Sequence, residues 1–234
     1  MSMGEIRFGC AALLLSATTL VTATPQDALA GAPRPSPMAR GNIKMQPLNA
    51  GRLTTLYDQT GFDSGTGFVS QNFEATFDVY DCEGADDFIV PDGSTWVVKE
   101  VDIEGNTGDG DGRADSENVV FYKDKHGKPG KVVARFDGIV GLQTFGAFVI
   151  DLGKGVRLKP GRYWLSMQVN EIFNEDGEWY WEMSTVQLLK PSVWRNPGDG
   201  FATGCTDWRV QTDCYDYVTG DQMFALKGRA LTKR

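Results

Sequence analysis

The chain has 234 residues, 31 of them acidic and 23 basic, giving a formal charge of −8. A net negative field argues against nucleic acid and anionic membrane as partners, since both require phosphates to be neutralised. Four cysteines and a single histidine are a poor donor set for zinc and for histidine-dependent catalysis.

Residues 1–30 read as a secretory signal peptide. Arg7 forms the positive start, residues 10–21 form a 12-residue apolar run too short to span a bilayer, and Ala28-Leu29-Ala30 offers a small-x-small cleavage site. Loss of that segment removes Arg7, Glu5 and Asp27, so the charge becomes −7 on 204 residues. A chain of that size suits one domain with a substantial core. Residues 31–52 are rich in Pro, Ala, Arg and Asn without apolar period and read as a disordered linker. The domain is expected over 53–230, monomeric and without membrane insertion.

Structure is expected to begin near residues 53–57. Residues 71–80 alternate Phe73, Ala75, Phe77 and Val79 with polar neighbours and predict a strand. Two β-rich runs, 88–90 and 96–103, flank the Pro-Asp-Gly-Ser turn at 91–94. In the second, Val97, Val101 and Ile103 fall on one parity and Glu100, Asp102 and Glu104 on the other, predicting an antiparallel strand with one dry face. A polar loop, NTGDGDGRADSEN, occupies 106–118. Further strands are expected at 119–123, 131–136, 147–152, 162–169, 178–185, 193–194 and 222–227, separated by Gly- and Pro-containing turns. No stretch has a convincing helical period. About nine or ten short strands at regular spacing predict an all-β, antiparallel β-sandwich of jelly-roll type.

After export three cysteines remain. In an oxidising compartment Cys205 and Cys214 are the expected pair, and Cys82 is left over, buried and inert or competing for a partner.

The wording of several segments is itself informative. LYDQ (56–59), ADDFIVPDGSTW (85–96), VVFYKDKHGKPG (119–130), LKPGRYWLSMQ (158–168), WRNPGDGF (194–201), the Cys205-x-x-Trp208 element with Cys214, and DQMFALKG (221–228) occur together. In this combination the chain resembles a β-sandwich domain of secreted bacterial proteins, often set beside repeat, protease or cell-surface modules. The resemblance spans roughly residues 53–228. It implies fold and compartment, and brings no activity or site. Cys82 and the acidity of the 108–115 loop depart from the type.

Three constellations are candidates for function. Asp109-x-Asp111-Gly112-x-x-Asp115 places hard oxygens around a Gly turn, as calcium requires; the alternative is a charged hairpin loop. Asp58, Asp86, Asp87 and Asp221 flank strand ends and either converge on a second calcium or cap turns. Trp179, Trp181, Trp194 and Trp208 are candidate platforms for sugar rings, against the alternative that they pack the core. His126 sits in a Lys-rich turn that does not suggest a catalytic cleft. These features together predict a secreted, non-catalytic binding or surface-associated module for an extracellular glycan, with a structural calcium. The alternatives are an adhesive module for a surface protein and a carboxylate-based glycan hydrolase.

Overall fold

The computed structural model describes residues 52–108, 112–215 and 220–232. The expected signal peptide and residues 31–51 of the expected linker lie outside these, as do Asp109 and Asp111. The described residues form fifteen strands. The first eight are β1 (Thr54–Asp58), β2 (Asp63–Val69), β3 (Gln71–Asn72), β4 (Glu83–Val90), β5 (Ser94–Ile103), β6 (Gly105–Thr107), β7 (Ser116–Asp124) and β8 (Pro129–Ile139). Then come β9 (Leu142–Thr144), β10 (Ala147–Leu158), β11 (Gly161–Asn170), β12 (Trp179–Ser184), β13 (Val193–Arg195), β14 (Arg209–Val210) and β15 (Phe224–Thr232). Two single-turn helices, α1 (Phe173–Asp176) and α2 (Gln211–Cys214), interrupt them.

Eight of the strands form nested antiparallel pairs. β1 lies against β15, β4 against β11, β5 against β10, and β7 against β8. This ribbon is wrapped so that alternate pairs exchange neighbours, giving sheets ordered β1-β15-β5-β10-β9 and β14-β13-β4-β11-β7-β8. That is the jelly-roll arrangement, and each of the eight overlaps a segment read from sequence, although β4, β8 and β10 run well beyond the expected 88–90, 131–136 and 147–152. Of the other seven, two to seven residues long, β12 and β13 match the expected 178–185 and 193–194, and the rest bring the total above nine or ten. One of them, β3, joins β11 in parallel, and β2-β12-β6 forms a third small sheet.

The main core lies between the two large sheets. Phe88 of β4, Val101 and Ile103 of β5, Phe121 of β7, Phe148 and Ile150 of β10, Leu165 of β11 and Leu226 of β15 are all essentially inaccessible. The alternation in β5 is not continuous. Trp96 and Val98 are buried, and so are Val101 and Ile103, whereas Val97 is not. The pairing with β15 shifts between Lys227 and Gly228, which leaves Lys99 as an extra residue and reverses the parity on either side of it. A Cβ on Gly228 would come within 2.1 Å of the Val97 carbonyl oxygen, so glycine is what allows the chains to approach at this bulge.

The strand expected at 71–80 is corrected. Only β3 is extended there, and Ala75–Tyr80 is a 3-10 helix. Ala75 and Val79 point to solvent, while Phe73, Phe77 and Tyr80 gather on one side with ring centroids 6.2–6.4 Å apart. Phe77 and Tyr80, three residues apart, share one side of the 3-10 helix, and Phe73 joins them from the segment before it, which outweighs the period-2 pattern. Cys205 and Cys214 form the disulfide. Cys82 is a free thiol at 0% exposure, and burial pushes its pKa up, so it is an unreactive core residue. Among the described residues, no helix is long and apolar enough to cross a membrane.

Candidate functional site

The expected tryptophan platform is not formed. Trp179, Trp181 and Trp194 are each 0% exposed. Their indole N–H groups are spent on backbone carbonyls: Trp179 donates to Gly146 (2.8 Å), Trp181 to Met223 (2.9 Å) and Trp194 to Val69 (2.8 Å). Neither ring face nor N–H is left for a ligand, and the three residues are core. Trp208 is half-buried, but its face is occupied. The Arg195 guanidinium lies 4.5 Å from the ring centroid, and the Tyr122 ring meets it edge-on. Arg195 in turn pairs with buried Glu83 at 2.6 Å, so Trp208 shields an ion pair.

The acidic candidates separate. Asp58 accepts from the amide and hydroxyl of Thr60 and caps a turn. Asp87 pairs with Arg162. Asp86 and Asp221 are both buried beneath the β1–β15 end. Asp86 accepts from Gln59 Nε2 at 2.9 Å and from the Gln222 amide at 2.7 Å. Burial, then the charge of Asp221, holds Asp86 well above the ordinary carboxylate range. Among the described residues, no group of three or more His, Cys, Asp or Glu is placed to hold a metal. Asp115 is exposed, with its amide bonded to Asn170 O at 2.9 Å.

The surface feature best suited to a ligand is a cleft that the sequence did not single out. Phe73, Phe77, Tyr80, Phe173 and Phe201, with Glu178, enclose about 220 Å³. Three segments build it. The first is the 3-10 helix, whose entry is set by the Phe73 amide donating to Asp81 Oδ1 at 2.8 Å. The second is α1, which docks through the Phe173 amide to Glu74 Oε2 at 3.0 Å and brings Phe173 to 5.6 Å from Phe77. The third is the loop following β13, which carries Phe201 to 5.2 Å from Tyr80.

That loop is tightly held. Asn196 donates to the carbonyls of Val79 and Asp81, both at 2.9 Å, and accepts from the Phe201 amide. Gly200 donates to Val79 O, and a Cβ there or on Gly198 would fall within 2.5–2.9 Å of the Val79 backbone. Only glycine lets the loop lie this close. The Asn196 amide also donates to Cys205 O, which ties the loop to the disulfide. Beneath, Phe201 rests on buried Trp194, and Phe73 belongs to the same apolar cluster as Trp194, Cys82 and Cys205. The aromatic walls are therefore rigidly backed.

Glu178 is the polar member. Its carboxylate receives the Tyr180 hydroxyl, and its carbonyl accepts from the Gly108 amide at 2.7 Å. Phe173 and Glu178 also border a second recess of about 420 Å³, together with Gly108, Asn174, Gly177 and Tyr180. Nearby Glu171 is 4% exposed; its oxygens make no close hydrogen bond, and the Trp179 amide is the donor that faces them. Burial first, then the charges of Asp176, Glu178 and Asp115, push its pKa up to about 8.

No family model and no curated protein matches the chain. A solved structure that matches contains the cysteine protease and lectin-like domains of Cwp84, a surface layer associated protein of Clostridium difficile. The identity is 10% and the TM-score 0.43, over 65% of this chain and 32% of that one. The chain thus spans about a third of that structure's length.

The cleft left one trace in the sequence, the Phe73, Phe77, Tyr80 spacing. Phe173 and Phe201 stand alone in turn-like stretches, and nothing local announces that they meet. Their convergence depends on long-range contacts of α1 and the β13 loop.

Proposed function

We propose that this protein is a secreted, non-catalytic module that binds an extracellular glycan in the aromatic cleft. The observation that carries the reading is the cleft itself: five aromatic rings and one carboxylate around about 220 Å³, on a rigid backing. That volume takes one sugar residue, smaller than a drug-sized pocket of about 300 Å³ or more. Ring faces stack on the apolar faces of a pyranose, and the Glu178 carboxylate accepts from its hydroxyls. The adjoining recess gives a neighbouring sugar a place to continue. Affinity electrophoresis in gels containing soluble polysaccharides tests this. At least one polysaccharide is expected to retard the wild type, and Phe173→Ala, at a residue 40% exposed, is expected to remove most of the retardation while leaving the melting temperature nearly unchanged. Equal retardation of wild type and variant would sink the proposal.

Calcium at Asp109, Asp111 and Asp115 belongs to the same proposal. Its support is the sequence spacing together with the way the described flanks are fixed. Gly108 is bonded to Glu178, Asp115 to Asn170, and the Gln143 side chain bonds both the Ala114 amide and the Gly112 carbonyl. Calcorimetric melting with calcium and then with chelator is expected to show a calcium-dependent rise that Asp111→Ala abolishes. The same melting point in calcium and chelator would remove calcium from the account.

A further inference from the structure

The charge around the cleft is one-sided. The segments supplying its walls, residues 73–81, 171–178 and 198–204, contain eight Asp and Glu and no Lys, Arg or His. Glu178 itself lines the cleft, and Glu171, nearly inaccessible, adds to the field only when ionised, because burial pushes its pKa up to about 8. A neutral ligand has no use for such a field, and an anionic one is repelled by it. The five rings add to it, because each aromatic face is the negative pole of a quadrupole and attracts a cation placed over it.

From this arrangement we infer that the cleft accepts an ammonium group, so that the favoured glycan is one bearing cationic nitrogen and not a neutral or acidic polysaccharide. The inference rests on the cleft being the glycan site. An alkylammonium seated among Phe73, Phe77, Tyr80, Phe173 and Phe201 is surrounded by aromatic rings and has the Glu178 carboxylate in the same lining. Both contacts gain strength as water leaves the cleft. N-acetylation of the same sugar removes the charge and enlarges the group, so it removes the ion pair and the ring attraction together. Uronic acids and sulfate esters bring the wrong sign to a surface that has no basic residue in these segments to receive them.

Two sources supply this chemistry, the free amine of a de-N-acetylated amino sugar and a choline substituent on a glycan. Calorimetric titration of the full chain separates them, using a glucosamine oligomer, its fully N-acetylated counterpart of equal length, and choline chloride. The glucosamine oligomer is expected to bind about ten- to thirtyfold more tightly than the acetylated one. That preference should shrink as salt is raised, and Glu178→Gln should remove most of it without removing the residual binding. Tight binding of choline chloride with weak binding of the oligomer would also support the ammonium site and assign it to a quaternary group. An acetylated oligomer bound as tightly as the free amine, and lost on Phe173→Ala, would overturn the ammonium inference while leaving the glycan cleft intact. Failure of all three probes to bind would overturn the inference. Binding indifferent to Phe173→Ala would overturn the site as well.

Discussion

Trp181→Ala is expected to lower the stability of the domain by about 3–5 kcal/mol, among the largest effects of any single substitution. Trp181 is 0% exposed, lies 6.5 Å from Trp179 and 6.3 Å from Phe224 between ring centroids, and sits in the main core. Its N–H donates to Met223 O, but that carbonyl keeps the Glu104 amide as a second donor, so the loss is mainly one of packing. Equilibrium urea unfolding should show a shifted midpoint with little change in slope. Trp208→Ala, which removes a half-buried ring stacked on Arg195, should cost only about 1 kcal/mol. The contrast separates core from surface: a Trp181 variant of near wild-type stability would mean that the indole is not enclosed as described.

The second large effect is on pH dependence. Glu171 is expected to make the protein less stable at pH 8 than at pH 5, in chelator and without ligand. Its folded pKa, about 8, lies above the 4.5 of an ordinary glutamate. The folded state therefore binds more protons than the unfolded state throughout that interval, and stability falls as pH rises through it. The contribution is fully present below about pH 4.5 and lost by about pH 8, on the order of a few kcal/mol. Buried Asp86 and Asp221, also raised, act in the same direction. Glu171→Gln keeps the shape and removes the charge, so it should stabilise the protein at pH 8 and flatten the profile measured by chemical denaturation from pH 5 to 8. A wild type equally stable at both pH values, with a Gln variant no better at pH 8, would contradict this environment for Glu171.

What the sequence announces and what it conceals divide along the range of the interactions. The jelly-roll strands are legible because each carries a local pattern, as Val101 and Ile103 do in β5, with turn residues between. The Lys99 bulge is not, because it is decided by pairing with Gly228 at the far end of the chain. The Cys205–Cys214 bridge follows from compartment and proximity. The tryptophans mislead for a physical reason: an indole is equally suited to a sugar platform and to a core, and only the placement of Gly146, Met223 and Val69 carbonyls decides between them. Phe173 and Phe201 are silent in sequence because the 3-10 helix, α1 and the Asn196 loop assemble the cleft from segments that are far apart along the chain.

The cleft is the centre of the proposed function, and its most direct test is amide chemical-shift mapping of the protein during titration with the oligosaccharide that retards it most in gels. The prediction is saturable shifts concentrated in residues 73–81, 173–178 and 198–204, with the neighbourhood of Trp208 unmoved. Shifts centred on Trp208 or on the Leu142–Thr144 hairpin, with the cleft silent, would contradict it.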